Sequence, residues 1–384
     1  MVVVTPEKEK EKEKEILVNP DTYAYMQKLG AFDVNACMNC GLCTVSCPLS
    51  VNGNEFPRKM IRYAVLGLED ELKSHPEPWT CFYCGECSEQ CPSKAEPGEF
   101  MMSYRRYLIS KYDWTGISRR LYTSEKLEIG SILLIALAIL GFFILIGSFG
   151  KMNTEHVSIN TFAPLEIIWP FILIVIGLSM LLLLSNALRM FYFVMIKDQK
   201  LKVPIKLYFT EFKTFVVQLS LQKNWLTCKT SFNRWLKHFI GVTAEVSVFV
   251  FIILLLPIFQ RDSSQWHWSA LPGYYIMAVL TFLTIDSIIG RVRKNEEMHR
   301  FSHPTDWIFL IMPLLTVMSG MFLHLFRLMD MPLPSYYMYV IHLMIAVPMM
   351  VLEVPFGKWA HALYRPLGIY LSVVKRKAML LAQA

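Results

Sequence analysis

The chain has 384 residues, 54% apolar and only 18% charged, with a formal net charge of +7, against roughly 25% charged in an average soluble protein. Mean hydropathy is positive. These values exclude a disordered chain and an ordinary soluble enzyme. Residues 1–127 read as soluble and the rest as membrane, so the positive charge is not one nucleic-acid-binding face.

The chain opens with a short valine patch and alternating Glu and Lys from Glu7 to Glu15, without the apolar stretch of a cleavable signal. Like charges four residues apart disfavour a helix, so residues 1–20 are expected to be a solvated charged tail. Residues 21–115 follow and hold eight of the nine cysteines. With no export signal, these thiols are expected in a reducing compartment, where cysteines bind metal rather than pair.

The cysteines form two runs. The first is Cys37-x-x-Cys40-x-x-Cys43-x-x-x-Cys47-Pro48, and the second is Cys81-x-x-Cys84-x-x-Cys87-x-x-x-Cys91-Pro92. This is the spacing of bacterial-type [4Fe-4S] sites, where three thiolates from one tight loop take three corners of a cube. The fourth cysteine of each run ligates the other cluster in two-cluster domains. The expected sets are therefore Cys37, Cys40, Cys43 and Cys91 for one cluster, and Cys81, Cys84, Cys87 and Cys47 for the other. Zinc would need paired knuckles of two ligands each, which a third cysteine at the same gap does not fit. Cys228 is left over and reads as a plain small residue.

Residues 116–384 contain six segments apolar enough to cross a bilayer, which takes about 20 residues of helix. They fall at about 129–149, 167–188, 239–260, 271–290, 305–327 and 335–361. The sixth is expected to run past Glu353 to His361. The connection 197–237 holds nine Lys/Arg and 291–300 holds four, while 150–163 and 261–270 hold one each and 328–335 none. By the positive-inside rule both termini face the cytoplasm, which agrees with the reduced cysteines.

Ionisable residues inside spans are costly and are functional candidates by default. His342 and His361 are 19 residues apart, about 28 Å on one helix. One helix with a ligand at each side of the bilayer suits two stacked b-type haems. His324 is the outer partner for His342, and His238 or His303 the inner partner for His361. The plain alternative for each is a hydrogen-bonded interfacial side chain. Four acids, Glu245, Asp286, Asp306 and Glu353, lie in the inner half and are candidate proton acceptors for a quinone.

Residues 30–110 resemble the small iron–sulfur C subunit of heterodisulfide reductases. Residues 125–365 resemble cytochrome b subunits of membrane-bound heterodisulfide reductases and, more distantly, the gamma subunit of respiratory nitrate reductases. The stretch from His342 through Pro355-Phe356 to His361 looks like the last haem-binding helix of that family. Asn233-Arg234-Trp235 with His238 looks like the start of an earlier one. The family's second histidine there would fall at Val248, so His324, in Ser319-Gly320-Met321-Phe322-Leu323-His324, is the substitute considered; one or two haems follow, two being favoured.

A fusion of the two modules, with His303-Pro304-Thr305-Asp306-Trp307, is similar to the C subunit of the quinone-interacting membrane-bound oxidoreductases of sulfate reducers. The resemblance implies a mainly α protein: a two-cluster ferredoxin-like domain followed by a six-helix transmembrane cytochrome b bundle in the cytoplasmic membrane. It also implies flavin- and iron–sulfur-containing partner subunits, menaquinone, and adenylylsulfate reductase as acceptor. Two rivals are a heterodisulfide-reductase-like protein serving a thiol–disulfide couple and a transporter or sensor with regulatory clusters. The absence of internal repeats in the membrane half argues against a transporter.

Overall fold

In a computed structural model the chain is described at residues 17–30, 33, 35–50, 55–197, 202–227 and 232–383. The Glu–Lys run and Cys228 lie outside these. Among the described residues the structure is helical, with no strand.

The cysteine-bearing segment is arranged around one helix, Pro97–Tyr112, most of whose residues are buried. Its tyrosines Tyr104, Tyr107 and Tyr112 are fully enclosed. Arg106 on this helix donates to the carbonyl of Leu29 and to Asp306 of the membrane half, at 2.6 and 2.8 Å. The helix thus ties the cysteine segment to the bundle.

Six helices are long and apolar enough to cross a membrane: Glu125–Leu145, Leu165–Ile196, Phe232–Phe259, Trp268–Arg293, Pro304–Leu328 and Pro332–Phe356. They present bare leucines outward, among them Leu134, Leu145, Leu181 and Leu188. Water does not tolerate such a continuous apolar band, whereas lipid does.

The sixth span ends earlier than the sequence suggests. A π-helical turn at Met349–Glu353 is followed by Val354–Phe356, and Gly357 is extended. Pro355 cannot donate to the helix ladder, and the break releases the chain into a new helix, His361–Gln383. His361 therefore opens a new helix rather than closing a span, and the continuous helix from His342 to His361 is not formed. The last helix runs beside Ile205–Ser220, with Tyr370 donating to the Tyr208 carbonyl (2.9 Å) and Lys377 paired with Glu211 (2.6 Å). The apolar Ile205, Phe209, Val216 and Leu219 of Ile205–Ser220 are exposed, a stripe that suits a helix lying along a bilayer surface.

The last helix also touches the cysteine segment through Gly368. A Cβ there would come within 2.6 Å of the Trp79 Cβ, and Trp79 lies on the short helix Glu77–Thr80 that leads into Cys81. Replacing Gly368 with valine is expected to force these helices apart at an overpacking cost of about 1–3 kcal/mol. A fall in the melting temperature of the full chain, larger than for Gly150→Ala in an open position, checks this.

Candidate functional site

The two cysteine runs fold as conformational repeats. In each, the second residue after the first cysteine is left-handed (Asn39, φ 54°; Tyr83, φ 52°), and so is the fourth, a glycine (Gly41, φ 86°; Gly85, φ 88°). Left-handed glycine bends the loop at little cost, and a one-turn helix follows in both, Leu42–Val45 and Glu86–Glu89. The bend turns successive thiols to one side.

One cavity is lined by Cys37, Cys40, Cys43 and Cys91. A second is lined by Cys47, Cys81, Cys84 and Cys87. Each cavity thus takes three cysteines from one run and the last from the other. Burial, and then mainly the thiols Cys37, Cys40 and Cys91, push Cys43 up to about 11. Burial, with Cys81 and Cys84 adding to it, pushes Cys47 up to about 12. Burial, followed by Cys81, Cys47 and Cys84, raises Cys87 as well. Thiols this crowded ionise only against a strong counter-charge such as a metal cluster.

Among the described residues no three His, Cys, Asp or Glu side chains converge as one metal ion requires. A cubane has a metal at each ligated corner and needs its thiolates farther apart, so the cavities suit a cluster better than zinc. Backbone N–H groups of Tyr83 and Ala95 donate to the sulfurs of Cys81 and Cys91, each at 3.4 Å. Such bonds to sulfur stabilise and tune iron–sulfur sites.

The two cavities face different surroundings. Around the first, Cys40 is exposed, and Met38, Leu42 and Val45 leave apolar side chains uncovered. Around the second, Cys81, Phe82 and Tyr83 are buried against the membrane half. Arg365 donates to the Cys81 carbonyl at 3.0 Å, and Arg105 bonds the same oxygen.

From this buried cavity a line of rings leads into the bundle. Phe82 packs edge-on to Trp225 (5.9 Å between centroids), and Trp225 packs on His238 (4.7 Å). The Arg365 guanidinium sits over both aromatic rings, 4.7 Å from Phe82 and 4.8 Å from Trp225. Among the described residues the Nδ1 atom of His238 has no hydrogen-bond partner, and His238 lies within electrostatic reach of His361.

His361 donates from Nδ1 to the Lys358 carbonyl at 2.5 Å, so Nε2 carries no proton and could ligate a metal. Burial holds its imidazole down at about 4, in the neutral form a metal requires. His238, with an unbonded Nδ1, and the neutral His361 are within electrostatic reach of each other, and two such imidazoles suit a bis-histidine haem.

The other histidines are placed differently. His303 caps the Pro304–Leu328 helix, its Nδ1 bonded to the Thr305 backbone and hydroxyl, with Asp306 completing the capping box. His342 bonds Ser319 at 3.0 Å and lies against Gly320, where a Cβ would meet its ring at 3.2 Å. His324 has both ring nitrogens engaged, by the Tyr274 hydroxyl at 2.9 Å and by Arg327 at 3.4 Å. The Ser319 bond uses Nδ1 of His342 alone, as the Lys358 carbonyl uses Nδ1 of His361, whereas both nitrogens of His324 are engaged.

Of the four acids, Asp286 pairs with Lys237 at 2.7 Å. Asp306 is buried among cations, 2.8 Å from Arg106, 2.7 Å from Lys358 and 3.9 Å from Arg291. Glu245 stands on the third span and joins no ion pair among the described residues. Glu353 is 1% exposed. The sequence reading missed Glu128, just outside the charge-free window of the first span, and also Phe82, Trp225 and Arg365. Only the polar start of the first span signalled Glu128; the other three come together from distant segments and carried no local signal.

A family model described as a 4Fe-4S dicluster domain matches residues 33–95. A protein from Archaeoglobus profundus, named as like the C subunit of heterodisulfide reductase, is 44% identical over 55 residues. That match covers 14% of this chain and 29% of the relative, so the chain spans less than a third of the curated relative's length. No solved structure matches. The chain therefore joins a 4Fe-4S dicluster domain to six helices capable of crossing a membrane.

Proposed function

We propose that this chain is a membrane electron-transfer subunit linking a menaquinone-class quinone to cytoplasmic flavin- and iron–sulfur-containing partner subunits. The observation that supports it most is the line Cys81–Phe82–Trp225–His238, which joins a thiol cavity to a buried histidine of the bundle. When bound, two [4Fe-4S] clusters and b-type haem supply one-electron carriers. The chain's own residues hold, space and shield them.

Cys81, Cys84, Cys87 and Cys47 hold the inner cluster, and Cys37, Cys40, Cys43 and Cys91 the outer. His238 and His361 would offer imidazoles to a haem on the cytoplasmic side, which would carry electrons. A second haem held by His342 and His324 would require His324 to release one of its two partners, Tyr274 from Nε2 or Arg327 from Nδ1. The guanidinium groups of Arg365 and Arg105 place positive charge beside the Cys81 loop and favour the reduced cluster. The uncovered Met38, Leu42 and Val45 beside the outer cavity form the face for a soluble partner. Glu245 and Glu353 are the acids left for a quinone site.

Both termini are assigned to the cytoplasm from the Lys/Arg bias, in the cytoplasmic membrane. The destination of the electrons follows the resemblance to quinone-interacting oxidoreductases: adenylylsulfate reductase in sulfate respiration. The relative from Archaeoglobus profundus favours a second reading, a heterodisulfide-reductase-like complex serving a thiol–disulfide couple. Identification of the co-purifying subunits separates the two.

The test of the haem assignment is haem content per polypeptide by pyridine haemochrome. His238→Ala and His361→Ala are each expected to lose the inner haem, while His303→Ala keeps it. Wild-type haem content in both His238→Ala and His361→Ala overturns the reading.

A further inference from the structure

Apart from the thiol cavities and the histidines, the least satisfied buried polar groups meet where the first and sixth spans reach the cytoplasmic side, and one of them, Glu353, is also a candidate acid for the quinone. Glu128 stands in the first turn of the first span, and Glu353 ends the π-helical turn of the sixth. Each is 1% exposed. Their carboxyl groups lie beside each other, with no donor from the described residues between them. Neither oxygen of Glu353 nor Oε2 of Glu128 receives a donor of good geometry; the Lys358 backbone N–H points towards Glu353 without closing such a bond. A third group shares the pocket. The hydroxyl of Tyr122 has no partner among the described residues, its residue is 3% exposed, and it neighbours both carboxyls.

Two carboxylates in contact in a site of low dielectric do not both ionise. With no N–H or O–H between them, their contact closes only with a proton on one of them. The surrounding charges agree. Arg106, Arg291 and Lys358 contribute three cations around Asp306, and Glu99 pairs with Arg106. Three cations facing two anions leave one positive charge, and a carboxyl pair with one proton supplies the one negative charge that balances it. The exposed Glu125, from the first turn of the same span, is the further acid within reach of Glu128. The Tyr122 ring lies edge-on to the partly exposed His303, 6.2 Å between centroids, which points a way out from the pocket.

We infer that Glu128 and Glu353 form a proton-binding site that holds one shared proton and exchanges it with the cytoplasmic side through the Tyr122 hydroxyl. The site stands independently of the quinone reading; only the use of its proton in quinone chemistry rests on that reading.

Infrared difference spectroscopy of the oxidised full chain in lipid nanodiscs, without added quinone, tests it. The wild type is expected to show a carbonyl band of a protonated carboxyl that shifts in D2O. Glu128→Gln and Glu353→Gln are each expected to lose that band while keeping the visible spectrum of the clusters, and Glu353→Asp to keep it at a shifted frequency. Tyr122→Phe should keep the band and slow its exchange with D2O. Persistence of the band in either glutamine variant, or its absence from the wild type, overturns the shared proton. Wild-type exchange in Tyr122→Phe overturns the route. Because no quinol is present, failure here is distinct from failure of the electron-transfer proposal.

Discussion

Replacing Cys47 with serine is expected to remove the cluster bound by Cys81, Cys84 and Cys87 and to spare the one beside it in sequence. Cys47 lines the second cavity although it ends the first cysteine run, because the one-turn helix Leu42–Val45 and Pro48 carry it away from its own loop. Iron per polypeptide should fall by roughly half, since one of two four-iron sites is lost. The buried second cavity also loses the metal that offsets its crowded thiols, so the Cys81 loop should loosen from Trp225. Paramagnetic resonance of the reduced variant checks this. Loss confined to the cluster of Cys37, Cys40 and Cys43 would mean that the fourth ligand is local.

The second large effect is expected at Asp306. Its carboxylate is 2% exposed and is shared by Arg106, Lys358 and the His303 backbone N–H. Removing one side of a buried charge pair strands the other and costs about 3–5 kcal/mol. Here the stranded group is chiefly Arg106, which also holds Leu29, so Asp306→Ala should unseat the cysteine segment from the fifth span. A markedly lower melting temperature in detergent is expected, with Asp306→Asn intermediate because its amide oxygen still accepts a hydrogen bond. An Asp306→Ala protein that melts with the wild type would show that the ion pairs add nothing. Asp306 is one of the four candidate proton acceptors of the sequence, and the three cations around it give it a structural role as well.

What the sequence made legible was local. The three-cysteine loops and the six apolar windows are set by spacing within about 20 residues, and the helical, membrane-capable fold follows from them. What it concealed was tertiary. Phe82, Trp225 and Arg365 come from three distant segments, and no local pattern says that they stack. His361 looked like the end of a span because the apolar run leads towards it, but Pro355 and Gly357 break the helix first. Glu128 escaped notice because it lies one residue before the charge-free stretch that marked the first span. His324 was read from depth alone, and depth does not reveal that Tyr274 and Arg327 occupy both its nitrogens.

The most direct test of the central claim is to add a menaquinol analogue to the oxidised full chain in nanodiscs and follow two signals together, the b-type visible band and the paramagnetic signal of reduced clusters. Electron transfer through the Phe82–Trp225–His238 contact predicts that both appear in the wild type, and that in His238→Ala the cluster signal is lost or strongly slowed. A visible band that reduces while the clusters stay oxidised, or clusters that reduce at the wild-type rate in His238→Ala, would contradict it.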